Sequence, residues 1–378
     1  MLNYVHGGDI QTYINRHGFA PLDLSANINP FGIPDAVRAA MHRAVDNCTQ
    51  YPDPFCRAAR QAIGAREGVN PDFLYCGNGA ADVLDRLAAV LKPRKVLLTA
   101  PTFAEYERTL SGAEIRVHNL RETDGFALTE RILDEISPDL DAVYLCNPNN
   151  PTGYLYSEEE LQRLRDIVLS HDLYLFADEV YREFRYTDAP YLSALCLEGL
   201  EQNVVVIDSV SKRYSECGTR IGMIVSHNKE AMAAILKFCQ ARLSPPLLGQ
   251  IVAEASIEGT EEYSKECFDE YLARRDFFIA GLNKIPGVYS PMPNGAFYTI
   301  ASLPVENAED FCAWCLTDFS YKDDGTPEGY TGETVMMAPA AGFYSTPNLG
   351  KNQVRMAYVL KTEDLGRSLL VLEKALEA

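Results

Sequence analysis

A lysine with hydroxyl and arginine neighbours stands near the middle of the chain, in the run S-V-S-K-R-Y-S-E-C-G-T-R-I-G from residue 209 to 222. Lys212 follows Ser209 and Ser211, and Arg220 comes eight positions later. A primary amine can form a Schiff base with an aldehyde when burial or neighbouring cations lower its pKa. Hydroxyls and a planar guanidinium can hold a dianionic phosphate. The run therefore indicates a lysine that carries a phosphorylated aldehyde, although taken alone it fits an ordinary basic turn equally well.

The segments around this run predict where the lysine lies. From about residue 75 to 225, strand-like and helix-like segments alternate, which is typical of a doubly wound sheet. The strand-like runs are Lys95 to Ala100, Asp141 to Cys146, Leu173 to Ala177 and Val204 to Asp208. Open sheets of this kind bind ligands beyond the carboxyl ends of their strands. Lys212 is therefore predicted at a ligand-binding edge.

Three further strand ends carry residues suited to a flat, ionised ring. Asp178 follows one strand, and a carboxylate there can hold a protonated ring nitrogen. Tyr181 and Asn150 can each donate a hydrogen bond to a ring oxygen, and Phe103 offers a face for stacking. The ordinary alternatives for these positions are a helix N-cap, turn residues and a core aromatic.

A glycine-rich turn precedes the helix predicted from Asp82 to Leu91. Gly77-Asn78-Gly79-Ala80-Ala81 places small residues at the helix N-terminus, where backbone N–H groups bind phosphate. The glycine and lysine spacings of the P-loop and of the dinucleotide-binding fingerprint are both absent. Gly79, Ala80 and Ala81 are therefore candidate phosphate contacts.

Composition and charge exclude several classes of protein. The chain has 378 residues and a formal net charge of -19, which argues against binding to nucleic acid or to an anionic membrane. No apolar run reaches the roughly 20 residues of a membrane span, and residues 1 to 20 lack the pattern of a signal peptide, so the expected location is the cytoplasm. The one C-x-x-C pair, Cys312 and Cys315, lies on a helical pattern, and we expect reduced cysteines and no metal site.

Together these motifs resemble the class I and II aminotransferases of the fold-type-I pyridoxal phosphate enzymes, and the resemblance covers essentially the whole chain. It implies an α/β fold with a large domain, in which a mostly parallel, seven-stranded sheet lies between helices, and a smaller α+β domain built from both chain ends. The implied boundaries are residues 1–48 for the N-terminal segment of the small domain, 49–265 for the large cofactor-binding domain, and 266–378 for the C-terminal small domain.

The resemblance also implies a role for each candidate residue. The cofactor would be pyridoxal 5'-phosphate, and the catalytic residues would be Lys212, which binds its aldehyde, Asp178, which pairs with the ring nitrogen, and Tyr181. The residues implied to contact the cofactor are Tyr51, Gly79, Ala80, Ala81, Phe103, Asn150, Asp178, Tyr181, Ser209, Ser211, Lys212 and Arg220.

Three of the matching positions concern the substrate and the partner subunit. Arg355, in Asn352-Gln353-Val354-Arg355-Met356, and Asn27, in Ser25-Ala26-Asn27-Ile28-Asn29-Pro30, match residues that bind the substrate α-carboxylate. Tyr51, in Tyr51-Pro52-Asp53-Pro54, matches a tyrosine that reaches the phosphate in the neighbouring subunit. The resemblance therefore implies a homodimer that acts on small molecules.

Two groups of relatives are similar to different parts of the chain. The N-terminal part looks like threonine-phosphate decarboxylases and histidinol-phosphate aminotransferases, and the part from about Asn147 onward looks like bacterial aspartate aminotransferases. The decarboxylases typically carry a second arginine soon after the carboxylate-binding one, whereas Arg355 is followed by Met356-Ala357-Tyr358-Val359-Leu360-Lys361. We therefore favour an aminotransferase, with aspartate and 2-oxoglutarate as substrates, over a threonine-phosphate decarboxylase or histidinol-phosphate aminotransferase. A non-catalytic ligand-sensing module is a remote alternative.

Overall fold

The computed structural model describes residues 9–188, 190–241, 243–257, 261–323 and 332–378. Strands β1 to β12 are Leu22–Asp23, Leu74–Gly77, Lys95–Ala100, Glu114–Asn119, Ala142–Cys146, Tyr174–Asp178, Val204–Ser209, Gly222–Val225, Tyr298–Ser302, Val335–Met336, Ala338–Pro339 and Gln353–Ala357. Helices α1 to α12 are Ile10–His17, Asp35–Ala44, Arg57–Glu67, Ala80–Leu91, Glu105–Thr109, Glu158–His171, Val210–Arg213, Lys229–Gln240, Leu247–Ile257, Glu261–Leu282, Ala308–Thr317 and Thr362–Glu377.

Seven strands form the central sheet, in the order β2-β8-β7-β6-β5-β3-β4. The neighbours from β7 through β6, β5 and β3 to β4 are parallel, whereas β8 is antiparallel to both β7 and β2. Because the parallel strands point the same way, the residues that follow β3, β5, β6 and β7 meet at one edge of the sheet. The predicted α/β fold with a mostly parallel, seven-stranded sheet is confirmed.

Both faces of this sheet are buried, which explains the continuous β-branched runs in the sequence. Successive side chains of a strand point to opposite faces. Leu97 and Val143 pack on one face with Leu164 of α6, and Val96 and Phe176 pack on the other face against α4. Full burial of each such side chain stabilises the fold by roughly 1.5–3 kcal/mol. The sheet therefore gives the residues at its edge a rigid support.

Helix α6, which joins β5 to β6, begins with a complete capping box. The Ser157 side chain accepts a hydrogen bond from the backbone N–H of Glu160, and the Glu160 carboxylate accepts one from the backbone N–H of Ser157. The two side chains thus satisfy donors that a helix N-terminus leaves unpaired. The helix ends at His171 and is capped by Asp172, which adopts a left-handed conformation with φ 51°.

The two ends of the chain meet beside the large sheet. β1 pairs in parallel with β10, through Leu22 with Val335, and β9, β11 and β12 form a three-stranded antiparallel sheet. Helices α10, α11 and α12 contribute to the hydrophobic core around these strands. The smaller α+β unit from both chain ends is therefore present, while its boundaries at residues 48 and 265 stay a prediction.

Two further expectations concern cysteines and membranes. Cys312 and Cys315 lie on α11, and both are buried free thiols. In the part of the chain that the structure describes, no helix has both the length and the apolar character to span a bilayer.

Candidate active site

A cavity lies at the edge of the sheet where β3, β5, β6 and β7 end. Its wall is formed by Asn27, Ala80, Ala81, Phe103, Tyr106, Cys146, Asn150, Asp178, Val180, Tyr181, Ser209, Ser211, Lys212, Cys217 and Arg220. The structure thus brings together most of the residues that the sequence singled out, from segments as far apart as Asn27 and Arg220. Of the predicted set, Gly79, Tyr51 and Arg355 do not form part of this wall.

Lys212 lies on α7, the single helical turn that follows β7. The Ser209 hydroxyl caps this turn by accepting a hydrogen bond from the backbone N–H of Ser211 at 3.1 Å. The amine of Lys212 donates to the backbone carbonyl of Asn27. Burial lowers the pKa of Lys212 below its ordinary value; the positive charges of Arg355 and Arg220 add to this effect, and Cys217 opposes it. A lowered pKa favours the neutral amine, which is the nucleophilic form.

Asp178 is the last residue of β6 and is buried at the cavity wall. One carboxylate oxygen, Oδ2, accepts a hydrogen bond of 2.7 Å from the Tyr106 hydroxyl, and Oδ1 accepts one of 3.1 Å from the backbone N–H of Val180. Burial raises the pKa of Asp178 to about 6, while these two hydrogen bonds lower it. Both partners are neutral, so the carboxylate keeps its charge available for a cationic ligand.

Tyr106 is a site residue that the sequence reasoning missed. It lies on α5, three positions after Phe103, and its ring meets the Phe103 ring edge-on at 5.6 Å. It also stacks on Tyr144 of β5 at 5.0 Å. The aromatic at this spacing from Phe103 was a signal, but only the fold shows that its hydroxyl reaches a carboxylate 72 positions away. Cys146, Val180 and Cys217 line the cavity as well, and no motif pointed to them.

Tyr181 and Asn150 lie on the same wall. The Tyr181 hydroxyl lies 2.9 Å from the hydroxyl of Tyr298. The Asn150 carbonyl oxygen accepts from Arg355 Nη1 at 3.3 Å, and its Nδ2 group has no acceptor among the described residues. The Asn150 amide can therefore donate to a ligand in the cavity, and the Tyr181 phenol can do so when Tyr298 donates the hydrogen bond between the two hydroxyls.

A tight cradle forms where Gly79, Gly222 and Arg220 approach one another. Gly79 has φ +83°, and a Cβ there would lie 2.1 Å from Arg220 Nη2. A Cβ on Gly222 would lie 2.3 Å from the carbonyl carbon of Gly79. Arg220 itself has φ +61°, which is uncommon for a residue with a side chain. The glycines thus let the guanidinium lie against the N-terminus of α4, beside Ala80 and Ala81, where an anion is favoured.

Arg355 lies on β12, directly behind the wall, and is 1% exposed. Its guanidinium donates from Nη2 to the carbonyl of Ser25 at 2.9 Å, and it lies between the rings of Tyr298 and Phe343 at 4.7 and 5.1 Å. Its Nε has no hydrogen-bond partner, and no carboxylate of the described residues pairs with it. Arg355 is therefore not part of a surface salt bridge, because its guanidinium is buried and its hydrogen bonds go to carbonyl oxygens.

Tyr51 lies outside the cavity of its own chain. Its side chain is 87% exposed, which is unusual for an aromatic residue. Its predicted role in a partner subunit stays a prediction, since the structure contains one chain. The wall position of Asn27 agrees with a substrate contact, although the atom that touches Lys212 is its backbone carbonyl oxygen.

Arg213, the residue after Lys212, turns away from the cavity into a buried ion-pair cluster. Its guanidinium pairs with Asp208 and lies 2.7 Å from Glu67. Arg182 also pairs with Glu67, and Glu183 lies 3.6 Å from Arg213. This cluster anchors the turn that carries Lys212, since the charges of the cluster satisfy one another.

Comparisons with known proteins agree with the fold and identify the family. A family model described as "Aminotransferase class I and II" matches residues 20–332. The chain is 37% identical over 238 residues to threonine-phosphate decarboxylase from Salmonella typhimurium, and the match spans 62% of this chain and 65% of that protein. It is 28% identical over 313 residues to aspartate aminotransferase from Bacillus subtilis, which covers 81% of this chain and 75% of that protein. The solved structure of aspartate aminotransferase from Thermotoga maritima has a TM-score of 0.85 at 24% identity, covering 97% of this chain and 95% of the other, and so shows the same fold.

Proposed function

The chain belongs to the class I and II aminotransferase family, and from this premise we propose that it uses pyridoxal 5'-phosphate to move the amino group of an amino acid to a 2-oxoacid. Aspartate and 2-oxoglutarate are the first pair to test. The observation that carries the proposal is the convergence of the Lys212 amine and the buried Asp178 carboxylate on one cavity wall, with the buried Arg355 guanidinium bonded to Asn150 of the same wall.

The residues around the cavity fit this cofactor. The cradle of Gly79, Ala80, Ala81 and Arg220 provides backbone N–H groups and a guanidinium for a phosphate, and a Cβ at position 79 would fill it. On the same wall, Asp178 has only neutral partners and suits a protonated ring nitrogen, and Phe103 offers a ring face. Tyr181 and the Asn150 amide would donate to the ring oxygen.

When bound, pyridoxal phosphate supplies an aldehyde for an amine and a protonated ring that withdraws electrons from the substrate's α-carbon. Lys212 would hold the aldehyde, and its lowered pKa makes the required neutral amine more accessible. With a substrate amino acid bound, the same Nζ would be placed to take up the proton of the α-carbon and to give it back, which is the role of a general base and acid. The carbonyl of Asn27 would orient the amine for this transfer.

Arg355 would bind the substrate α-carboxylate and fix its orientation. A guanidinium and a carboxylate form two parallel hydrogen bonds, and Arg355 is held by Ser25, Asn150 and two aromatic rings. Its buried charge has no anionic partner among the described residues, so a carboxylate would supply the missing interaction. The bond that is broken at the α-carbon then depends on how the substrate side chain is held.

The second candidate function is decarboxylation of threonine phosphate. The 37% identical relative of that name favours it. Against it, the cationic side chains in the wall, within the described part of the chain, are Lys212 and Arg220, and both are assigned to the cofactor. A phosphate or carboxylate on the substrate side chain would therefore need a cation from outside this wall. The same holds for the side-chain carboxylate of aspartate and for the phosphate of histidinol phosphate. A partner subunit is the source that a homodimer would provide.

We propose this homodimer because of the exposed aromatic at position 51. Val45 and Ile28 are also exposed apolar residues in the N-terminal part of the chain. If Tyr51 completes the partner's phosphate cradle, Tyr51→Phe should weaken cofactor binding about tenfold, the equivalent of one hydrogen bond to a charged group. Sedimentation should give the mass of two chains, and a monomer that binds the cofactor with unchanged affinity would contradict the proposal.

The test of the function combines spectroscopy with product analysis. Purified protein should develop a visible absorption band with pyridoxal phosphate, and Lys212→Ala should lose it, whereas the exposed lysine variant Lys229→Ala should keep it. A panel of amino acids then separates the candidates: aspartate or glutamate should convert the band and yield a 2-oxoacid. Release of CO₂ from threonine phosphate without 2-oxoacid would instead establish the decarboxylase. A band that survives in Lys212→Ala would contradict the site itself.

A further inference from the structure

Tyr298, the first residue of β9, connects the two halves of the proposed site without touching either ligand. It is fully buried and does not form part of the cavity wall. Its hydroxyl lies 2.9 Å from that of Tyr181, which does form part of the wall. Its ring packs against the guanidinium of Arg355, 4.7 Å from the ring centroid. Tyr298 therefore contacts one residue assigned to the cofactor and one assigned to the substrate.

The backbone and the packing fix this contact. Tyr298 pairs with Ala357 across the antiparallel strands β9 and β12, and Arg355 pairs with Ile300 on the same two strands. The rings of Tyr181 and Tyr298 meet edge-on, with centroids 5.4 Å apart. A Cβ at Gly153, which has φ +68°, would lie 2.5 Å from the carbonyl oxygen of Tyr298. The position of the Tyr298 hydroxyl therefore follows from the sheet and from close packing around it.

The number of hydroxyl protons limits the direction of the hydrogen bond between Tyr181 and Tyr298. Each phenol carries one proton, and only one proton can lie between them. If Tyr181 donates, it offers only lone pairs to the cavity, and the proton of Tyr298 has no acceptor among the described residues. If Tyr298 donates, the proton of Tyr181 is available to the cavity. An anionic oxygen in the cavity selects this second arrangement, because both protons then have acceptors.

We propose that Tyr298 is a positioning residue, which donates to Tyr181 and thereby directs the hydroxyl proton of Tyr181 at the ring oxygen of pyridoxal phosphate. The proposal rests on the proposed function, since it requires the cofactor in this cavity. Linked hydrogen bonds polarise one another, so Tyr181 becomes a stronger donor while Tyr298 donates to it.

The charge of Arg355 acts on both phenols in the same sense. Burial raises the pKa of Tyr298 and of Tyr181 far above the ordinary value, and the nearby guanidinium lowers both. A cation beside two buried hydroxyls makes each a better donor. The substrate-binding arginine thus supports the hydrogen bond to the cofactor through Tyr298.

The test is a spectroscopic titration of the cofactor-loaded protein. A hydrogen bond to the ring oxygen stabilises its negative charge, so the proton that this oxygen shares with the lysine–cofactor linkage dissociates at lower pH. Tyr298→Phe should therefore raise the pH midpoint of the visible band by about half a unit, which corresponds to one weakened hydrogen bond. Tyr181→Phe should raise it further. Tyr358→Phe is the matched control, because it removes a buried hydroxyl, bonded to Ala296 at 3.2 Å, from the same aromatic cluster.

A double variant decides whether Tyr298 acts through Tyr181. In protein that already carries Tyr181→Phe, the change Tyr298→Phe should leave the midpoint unmoved, and additive shifts would overturn the proposal. An unchanged midpoint in the single Tyr298→Phe variant, with a shift in Tyr181→Phe, would overturn it as well. If Tyr298→Phe does not fold, 3-fluorotyrosine at position 298 provides a more acidic hydroxyl, and the midpoint should then fall. Wild-type protein that gives no visible band at all would refute the proposed function instead.

Discussion

Asp178 should destabilise the cofactor-free protein, and replacing it by asparagine should therefore make that protein more stable while removing its function. Asparagine has nearly the same shape and no charge. Its carbonyl oxygen can keep the hydrogen bond from Val180, and its amide can donate to the Tyr106 hydroxyl, which accepts as readily as it donates. Asp178→Asn thus removes the buried charge without leaving either partner unpaired.

The size of the effect follows from the pKa of Asp178. Burial raises this pKa from 3.8 to about 6, so the folded protein holds the proton more tightly than the unfolded chain does. The free energy of unfolding therefore falls as the pH rises from about 4 to about 6, and the whole penalty is present above that range. A difference of about two pKa units corresponds to about 3 kcal/mol. At pH 5 about half of this penalty has developed.

The assay is urea unfolding of the cofactor-free wild type and of Asp178→Asn, at equal protein concentration so that any subunit association affects both alike. The variant should be more stable by about 3 kcal/mol at pH 8 and by about half as much at pH 5. The exposed Asp35→Asn should differ from wild type by no more than about 0.5 kcal/mol at either pH. Added pyridoxal phosphate should stabilise the wild type more than the variant, because only the carboxylate pairs with a protonated ring nitrogen.

Two results would refute this reasoning. A variant that is no more stable than wild type at pH 8 would mean that the Asp178 carboxylate is not destabilised by burial. A stability gain that does not grow between pH 5 and pH 8 would mean that the gain has a cause other than ionisation. Either result would also contradict the argument that the Asp178 carboxylate binds a cationic ligand.

Three other changes test the buried carboxyl group of Glu216, the phosphate cradle at Gly79 and the guanidinium of Arg355. Burial raises the pKa of Glu216 to about 8, while the hydrogen bond from Ser256 lowers it. The free energy of unfolding of the wild type should therefore fall between pH 5 and 8, and Glu216→Gln should be more stable than wild type by roughly 3 to 5 kcal/mol at pH 9 in urea unfolding. An equal gain in stability at pH 5 would contradict this. Gly79→Ala should raise the dissociation constant for pyridoxal phosphate at least about tenfold in a fluorescence titration, because the added Cβ would collide with Arg220. Gly125→Ala is the control: Gly125 also has a positive φ, of +61°, but has open space around it, so this variant should leave the dissociation constant unchanged. Arg355→Lys should raise KM for the amino acid about 10- to 100-fold, because an ammonium cannot form two parallel hydrogen bonds to a carboxylate. The variant should keep the visible absorption band of the bound cofactor. An unchanged KM would show that Arg355 does not bind the substrate.

Local sequence patterns predicted the central sheet and the wall of the cavity because both depend on short segments. The β-branched run before Lys212 identifies a strand by itself, and the parallel direction of the strands then places their carboxyl ends together. The capping box of α6 is equally local, since Ser157 and Glu160 lie one turn apart. Lys212, Asp178 and Asn150 could therefore be assigned to one site before any distance was known.

The contacts that set the charge state of the site were not predictable in this way. Tyr106 reaches Asp178 across 72 positions, and Tyr298 reaches Tyr181 across 117. Tyr106 lies between Glu105 and Glu107, and Tyr298 between Phe297 and Thr299, and neither setting predicts a partner so far away along the chain. The direction in which Arg213 points was also hidden, because a residue beside Lys212 on a single helical turn can face the cavity or the core.

Some buried charged groups of this protein are paired with an opposite charge, and others are bonded only to neutral groups. Arg213 lies among Asp208, Glu67 and Glu183, so that cluster is satisfied within the protein. Lys212 and Arg355, by contrast, are bonded to uncharged oxygens, and Asp178 is bonded to neutral donors.

A buried charge without an opposite charge costs free energy, and neither the buried Asp178 carboxylate nor the buried Arg355 guanidinium forms a salt bridge with a described residue. Glu216 is buried without a cation too, but its pKa of about 8 means that it is protonated and neutral at pH 7. A phosphorylated, protonated ring and an amino acid carry charges opposite to those of Arg220, Asp178 and Arg355. Their binding would therefore offset the free-energy cost of these charges, so the buried charges without an opposite charge support the proposed site independently of the motif around Lys212.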